Sequence, residues 1–340
     1  MIQQSAGATM KQVARPRLAF LGVGWIGRHR LEAVTRSGCA EIIAVGDAVH
    51  ETAAQAAETL PQACVVSSLQ ATLETEPDGL LIATPSSMHS QQAIAALKRG
   101  IAVFCQKPLA RTETETRQVI EAARQADRLL TVDFCYRTVS GIPQLRELIR
   151  AGELGQIYGI DLVFHNAYGP DKPWFYDLAQ CGGGCVIDLG IHLVDLALWA
   201  LNFPVVQDVF SHLYAQGQML AKPIDQLEDY AVAQLRLETG ATARLACSWR
   251  LPAGCDAVIE ASFYGTKGGA TMRNINGSFY NFRVEHFRGT TRETLGTFPD
   301  DWGGRAVIDW TRRLDGNRSF DPEATRYAEV AKTVDRIYGR

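Results

Sequence analysis

Residues 17–27 read Arg-Leu-Ala-Phe-Leu-Gly-Val-Gly-Trp-Ile-Gly. The apolar run at 17–23 has the length and composition of a buried strand, and residues 26–37 have a helical pattern. The Gly-x-Gly-x-x-Gly at their junction permits a tight turn, close approach of the backbone to a pyrophosphate and close helix–strand contact. The free N–H groups of the helix N-terminus suit a phosphate. The stretch therefore predicts a dinucleotide site that includes Gly22, Gly24, Trp25, Ile26 and Gly27; a glycine-rich turn without a ligand is the alternative.

A carboxylate follows the second predicted strand, at residues 41–47. Asp47 comes twenty positions after Gly27, where an acidic side chain accepts hydrogen bonds from the adenosine ribose hydroxyls. Because this carboxylate would repel a 2′-phosphate, we expect NAD as the cofactor and NADP as the less favoured one. His50, close to Asp47, weakly favours NADP instead.

Another polar turn closes the predicted strand at 79–84. The segment Ala83–His89 ends at the same edge of the sheet, so we expect Ala83, Thr84, Pro85 and His89 to line the nicotinamide half of the cofactor site. The alternative is a strand-end turn in which Ser86 or Ser87 caps the following helix.

The order of elements divides the chain into two parts. Short apolar strands alternate with helices as far as residue 134, which predicts a parallel sheet covered on both faces. After residue 137 longer alternating runs predict a large, mostly antiparallel, open-faced sheet with the 184–200 helix on one face. We therefore predict an α/β Rossmann domain at 1–136, with a tail at 1–15, and an α+β domain at 137–340, with a C-terminal helix at 322–338.

The helix after the Gly182-Gly183-Gly184 run is apolar on almost every face. At 100° per residue, Asp188, His192 and Asp195 lie within about 60° of one another. Buried carboxylates beside an imidazole are costly unless paired, and such groups cluster at functional sites. A core histidine satisfied by two carboxylate partners is the alternative interpretation.

Lys107 follows a further strand, in Val103-Phe104-Cys105-Gln106-Lys107-Pro108-Leu109. This places the amine at the carboxyl edge of the sheet, where doubly wound folds bind ligands. Taken alone, the residue also fits a solvated loop lysine.

Together these motifs resemble the Gfo/Idh/MocA oxidoreductase family, which includes glucose–fructose oxidoreductase and inositol dehydrogenase. The resemblance rests on Gly22–Gly27, Ala83–His89, Gln106-Lys107-Pro108 and the Gly-Gly-Gly-x-x-x-Asp-x-Gly-x-His at 182–192, and it spans nearly the whole chain. That family usually has Glu-Lys-Pro where this chain has Gln106-Lys107-Pro108. Gln106 keeps the shape and an acceptor oxygen but lacks the charge. The resemblance places Gln106 and Lys107 among the cofactor-binding residues.

The resemblance implies a catalytic trio of Lys107, Asp188 and His192 facing the nicotinamide. Alcohol oxidation requires a base, for which His192 is suited near neutral pH, and a cation such as Lys107 would stabilise a developing alkoxide. Which of the two takes the proton stays open, and Asp188 would orient His192 or bind a substrate hydroxyl.

The implied substrates are sugars, cyclitols and related polyols. Aromatic faces together with hydrogen-bonding groups suit such molecules. The candidate substrate-binding residues are Lys107, Arg137, His165, Trp174, Asp188 and His192, and further candidates for the pocket are Tyr136, Asn166, Tyr168, Phe175, Tyr176 and Asp195.

Two other functions remain open from the sequence. One is a glycosidase of the same fold that uses NAD in a transient oxidation–elimination cycle. The other is a nucleotide-sensing regulatory protein without catalysis. The intact Lys107, Asp188 and His192 argue against the regulator, and Gln106 argues slightly for it.

The charge and amino-acid composition indicate which binding partners to expect. The net charge of −3 gives no electrostatic case for nucleic acid or an acidic membrane surface, and we expect no membrane-spanning segment. Eight cysteines without a Cys-x-x-Cys pair fit a reduced, cytoplasmic protein, and we expect no metal site at Cys181 and Cys185. An exposed apolar sheet face favours association into a homodimer or homotetramer.

Overall fold

The structure is a computed structural model that describes residues 15–340; of the predicted tail at 1–15, residues 1–14 lie outside the described part. The first sheet is parallel throughout and has the strand order β3-β2-β1-β4-β5-β6. Its strands are β1 (Arg17–Leu21), β2 (Glu41–Gly46), β3 (Cys64–Val66), β4 (Gly79–Ile82), β5 (Ala102–Cys105) and β6 (Leu130–Val132). Its helices are α1 (Trp25–Ser37), α2 (His50–Ala57), α3 (Leu69–Glu74), α4 (Ser86–Lys98) and α5 (Glu113–Ala126).

Helices cover both faces of this sheet, so β4 and β5 are buried along their whole length. The strand order reverses between β1 and β4. Ligands of doubly wound folds bind beyond the carboxyl ends of the strands at such a switch point. The Rossmann prediction is confirmed, and the topology places the predicted site residues of this half at one edge.

The second sheet has nine strands in the order β15-β14-β13-β12-β7-β11-β10-β8-β9. Within the described residues only the β7–β11 pair is parallel, so the prediction of a mostly antiparallel sheet is confirmed. The strands are β7 (Ile157–Asn166), β8 (Val206–Ala215), β9 (Gln218–Met219), β10 (Tyr230–Leu237), β11 (Thr242–Ser248), β12 (Ala257–Gly265), β13 (Gly269–Asn274), β14 (Phe282–Arg288) and β15 (Thr291–Gly296).

Helices pack on one face of the second sheet. They are α6 (Ile142–Arg150), α8 (Ile191–Ala200) and α10 (Tyr327–Tyr338), whereas the short α7 (Leu178–Cys181) contacts α4 of the first half. A π-helical turn at Val186–Gly190 leads into α8, and a 3₁₀ turn at Pro322–Arg326 leads into α10. Among residues 15–340, no helix covers the other face of the sheet, which we call the outer face.

Besides α7, which contacts α4, and α10, which contacts α5, a further helix of the second half packs against the first. In α9 (Arg305–Gly316) the indole of Trp310 lies 5.5 Å from the ring of Phe104 and fills the space beside Gly79. The core of the first sheet is therefore completed by residues far along the chain. The division at residue 136 stays a prediction.

The expectation that no segment has the length and hydropathy of a membrane span needs correction. Residues Leu178–Ala200 meet both criteria, yet almost all of this segment is buried inside the protein. Its helix is also interrupted at 182–184. Burial against the second sheet explains the apolar composition of this segment.

Candidate active site

A cavity of about 1520 Å³ lies at the carboxyl edge of the first sheet, between the two halves of the molecule. It exceeds the usual size of a site for one drug-sized ligand, which is roughly 300–1,000 Å³. With the exception of Gly27, every predicted cofactor-binding residue lines it: Gly22, Gly24, Trp25, Ile26, Asp47, Ala83, Thr84, Pro85, His89, Gln106 and Lys107.

The glycine turn has the geometry that a dinucleotide requires. Gly22 has a φ of +86°, and a Cβ on Gly27 would lie 2.0 Å from the Gly22 carbonyl oxygen. Gly24, by contrast, faces open space, and no side chain caps the N-terminus of α1. Free N–H groups and room for close approach are therefore available at the same point, which fits a pyrophosphate.

Asp47 is held in a fixed position at the end of β2. Its Oδ2 accepts a hydrogen bond from the Val23 amide at 2.9 Å, and its Oδ1 accepts one from the Val49 amide at 3.0 Å. The carboxylate is half-buried and lines the cavity. It thus presents a negative charge where the sequence predicts the adenosine ribose.

His89 connects two turns of the cavity wall. Its Nδ1 lies 2.7 Å from the carbonyl oxygen of Pro108, and its Nε2 lies 2.7 Å from that of Thr84. The ring is buried, and this burial lowers its pKa. His89 therefore fixes the turn after β4 relative to the turn that carries Lys107.

Lys107 reaches from the first half of the molecule to the π-helical turn of the second. Its Nζ donates to the main-chain oxygen of Asp188 at 2.7 Å and to Asp188 Oδ1 at 2.9 Å. The other carboxylate oxygen of Asp188 accepts from Trp249 Nε1 at 3.0 Å. Asp188 thus binds Lys107 and not His192. No sequence pattern predicted this contact of Trp249, since it depends on the position of β11 beside the π-helical turn.

His192 lines the same cavity, with its ring 5.0 Å from that of Tyr136. Burial, followed by the positive charges of Lys107 and Arg30, holds its pKa well below the ordinary value. The neutral imidazole therefore persists at neutral pH. Its Nδ1 is buried and has no hydrogen-bond partner among residues 15–340, so no carboxylate of the described chain orients the ring.

Two of the predicted substrate-binding residues lie outside the cavity lining. Arg137 forms a buried ion pair with Asp195, with Nε–Oδ2 at 2.8 Å and Nη2–Oδ1 at 2.5 Å. Asp188 lies inside the π-helical turn, which departs from 100° per residue, and Asp195 lies in the regular helix α8 that follows. The polar line predicted for this helix is therefore divided between two environments.

His165 lies on the outer face of the second sheet. Its neighbour Phe164 lines the cavity, and successive side chains of a strand point to opposite faces. The His165 ring accordingly pairs with Ser248, at 2.8 Å from Nδ1 to Oγ, and stacks on Tyr230.

The predicted substrate-binding residue Trp174 lines the cavity. Of the further pocket candidates, Tyr136 and Phe175 line it, whereas Asn166, Tyr168, Tyr176 and Asp195 do not. The structure adds lining residues that the sequence analysis did not single out. Phe164 comes from β7, and the others come from loops of the second half: Lys172, Phe279, Tyr280, Asn281 and Trp302. Only the packing of those loops brings them to the cavity.

The helix that carries Asp188 and His192 is anchored at its start by a buried carboxylate. Glu228 accepts from the amides of Gly184 and Val186, each at 2.9 Å, and from the Tyr338 hydroxyl at 2.8 Å. A carboxylate at a helix N-terminus is favourable for the helix dipole. Within the described residues, no group of three or more His, Cys, Asp or Glu side chains is arranged to hold a metal ion.

Comparison with known proteins identifies the family. Residues 16–134 match the model of the oxidoreductase family with an NAD-binding Rossmann fold, and residues 142–271 match the GFO/IDH/MocA C-terminal domain. The D-glucoside 3-dehydrogenase of Escherichia coli (strain K12) is 30% identical over 75% of this chain and 76% of its own length.

The chain belongs to the Gfo/Idh/MocA oxidoreductase family. A second relative, inositol 2-dehydrogenase 3 of Saccharopolyspora erythraea, is 28% identical over 66% of this chain and 64% of its own length. The resemblance drawn from the four motifs is thereby confirmed, and the protein is an NAD(P)-dependent oxidoreductase of this family.

Solved structures show the same fold. A levoglucosan dehydrogenase in complex with NADH superposes with a TM-score of 0.81 at 19% identity, covering 95% of this chain and 96% of that one. An aldose–aldose oxidoreductase from Caulobacter crescentus superposes with a TM-score of 0.81 at 19% identity and the same coverage. At this identity the likeness concerns the architecture of the two sheets.

Proposed function

We propose that this family member transfers a hydride between NAD and a hydroxyl or keto group of a sugar, cyclitol or related polyol. The observation that carries the proposal is the contact of Lys107 with Asp188 across the cavity that also contains the glycine turn and His192. The names of the relatives, a glucoside dehydrogenase and an inositol dehydrogenase, support the substrate class.

The proposed residue roles follow from the charges at the site. A bound nicotinamide supplies the hydride acceptor or donor. His192, held neutral by burial and by the cations of Lys107 and Arg30, accepts the hydroxyl proton during oxidation. Lys107, fixed by Asp188, stabilises negative charge that develops on the substrate oxygen. In the reverse direction the protonated His192 returns the proton.

Aromatic side chains support a polyol as the other ligand. Trp174 and Phe175 stack with ring centroids 3.7 Å apart, and Tyr136 and Trp302 lie 5.4 Å apart. Such faces suit the C–H surface of a sugar ring, while Lys107, Asp188 and His192 meet its hydroxyls. Arg137 and His165 are left out of the proposed substrate site because the first is paired with Asp195 and the second lies on the outer face.

The test is incubation of the protein with NAD and a panel of sugars, cyclitols, polyols and glycosides. Absorbance follows NADH, and chromatography follows glycoside cleavage. NADH formation with a polyol supports the proposal. Cleavage without net NADH would instead indicate the NAD-dependent glycosidase, and NAD binding with neither reaction would indicate the regulatory protein.

The fixed carboxylate of Asp47 supports NAD over NADP. We expect Asp47→Asn, which keeps the shape but removes the charge, to raise the ratio of kcat/KM for NADP to that for NAD by about 10-fold. Steady-state kinetics with each cofactor measures the ratio. Glu51→Gln, in the first turn of α2, is the matched control and should leave it unchanged; an unchanged ratio in Asp47→Asn would contradict the role of Asp47.

We also propose self-association, as a homodimer or homotetramer, through the outer face. Val232, Ala246 and Val163 lie side by side across β10, β11 and β7, and Phe210 nearby is 70% exposed. We expect the double variant Phe210→Asp/Val232→Asp to shift the assembly toward the monomer in sedimentation equilibrium. Val205→Asp, in the loop before β8, controls for added charge; a monomeric unmodified protein would refute the proposal.

A cytoplasmic location and a small-molecule substrate, without nucleic acid or membrane partners, complete the proposal. All eight cysteines are unpaired, as is usual in a reducing compartment.

A further inference from the structure

A buried carboxylate beneath the cavity joins three elements of the first half. Asp133 Oδ2 accepts from Arg30 Nε at 2.6 Å and from Gln106 Nε2 at 2.8 Å. The side chain of Asp133 is fully buried and that of Arg30 is 3% exposed. Asp133 Oδ1 is buried and has no partner among residues 15–340.

The topology of the sheet brings these groups together. Cys105 and Val132 are paired neighbours at the ends of β5 and β6, so the next residues, Gln106 and Asp133, leave the sheet side by side. The Asp133 amide donates to the Cys105 carbonyl at 2.9 Å and continues that register by one step. Arg30 approaches from α1, on the helix that begins at the glycine turn.

The cluster continues directly into the proposed catalytic residues. Gln106 Oε1 accepts from the amide of Lys107 at 3.1 Å, and Lys107 Nζ binds Asp188. One amide side chain thus makes two contacts of opposite kind, because its nitrogen donates to Asp133 and its oxygen accepts from Lys107. An ionised glutamate of the same size and shape could only accept hydrogen bonds and could not make the contact with Asp133.

We propose that Asp133 is a positioning residue for Lys107, acting through Gln106, and that the carboxylate at 133 and the neutral amide at 106 form a matched pair. The inference rests on the proposed role of Lys107. It accounts for a glutamine where the family resemblance leads one to expect a glutamate: in this chain the charge that pairs with Arg30 lies one strand over.

The charges explain why the two positions depend on each other. A glutamate at 106 would place two carboxylates in contact in a buried site, where both cannot be ionised together. An asparagine at 133 would leave the Arg30 guanidinium buried without an anion, which is strongly unfavourable. Exchanging both groups at once restores one carboxylate and one amide beside Arg30.

The test is a double-mutant cycle of Gln106→Glu, Asp133→Asn and the double variant Gln106→Glu/Asp133→Asn. We measure kcat with NAD and the best polyol of the panel, the Kd for NADH by fluorescence, and thermal unfolding. Each single variant should lose about 10- to 100-fold in kcat, the size of effect expected when a catalytic group is misplaced by about 1 Å. The double variant should recover to within about 3-fold of the unmodified enzyme.

Asp78→Asn is the matched structural control. Asp78 lies just before β4, at the opposite edge of the same sheet, and pairs with Arg318 at 2.5 Å. It should lower the unfolding temperature and leave kcat unchanged when assayed well below that temperature. If the single variants lose more kcat than Asp78→Asn does, the loss is due to the position of Lys107 and not to lower stability.

Two results would overturn the inference: single variants with normal kcat, or a double variant with the summed loss of both. The variant Lys107→Met distinguishes a failure of this inference from a failure of the proposed function. If Lys107→Met retains full turnover, the role of Lys107 is refuted. If Lys107→Met is inactive while Gln106→Glu has normal kcat, only the positioning role is refuted.

Discussion

Replacing Lys107 with methionine is expected to lower kcat for polyol oxidation by about 10²- to 10³-fold, the effect of removing one preorganised electrostatic contact to a developing oxyanion. Methionine keeps most of the length of the side chain and removes the ammonium that binds Asp188. The Kd for NADH should change little, because Asp47 and the glycine turn, which would hold the ribose and the pyrophosphate, keep the contacts of Asp47 with the Val23 and Val49 amides.

Steady-state kinetics with NAD and the best polyol, together with fluorescence titration of NADH, checks this expectation. Lys98→Met, on the exposed end of α4, is the matched control and should behave as the unmodified enzyme. Near-normal turnover in Lys107→Met would refute the proposed role, as would an equal loss in the control.

The second large effect concerns the pH dependence of His192. The base must be neutral to accept a proton, and its pKa is held well below 6.5 by burial and by the charges of Lys107 and Arg30. Oxidation should therefore stay at full rate through neutral pH and fall only on acidification well below 6.5. His192→Asn should lower kcat by about 10²- to 10⁴-fold and abolish this acidic limb.

Lys107→Met should also change the pKa of His192. Removing one of the two cations near His192 should move the acidic limb of the residual activity to higher pH, toward the ordinary histidine value. The shift should be partial, because burial is the larger cause and remains. A pH profile of kcat/KM for both variants measures it, and a limb that does not move in Lys107→Met would contradict the assignment of that limb to His192.

Gln106 shows how much of the site could be predicted from the sequence. Its neighbour Lys107 and the helix residues Asp188 and His192 were predicted to meet at one cavity, and Lys107 does contact Asp188 there. The role of Gln106 itself was open, because the sequence does not show that Asp133 leaves the next strand beside it. That contact depends on the register of β5 and β6.

Two residues that were predicted to bind substrate, Arg137 and His165, lie elsewhere for the same physical reason. Arg137 and His165 have the chemistry of substrate ligands, but chemistry alone does not say which way a side chain points. Asp188 lies in the π-helical turn, whereas Asp195, to which Arg137 is bound, lies in α8. The alternation of side chains along β7 turns His165 to the outer face.

The elements β14, β15 and α9 were not predicted, because their short or mixed patterns become clear only when they pack against β13 and the first sheet.

The sequence by itself determined the parallel sheet and the glycine turn followed by Asp47, since each depends on local periodicity or on a motif of fixed spacing. Its resemblance to the family predicts Lys107, Asp188 and His192 as the catalytic residues. Only the tertiary structure decided that Asp188 binds Lys107 and Trp249 instead of His192, and that Asp133 supports Gln106 from the next strand. Those contacts join residues tens of positions apart, and their geometry is set by strand register and by the packing of the two halves, which no local pattern encodes.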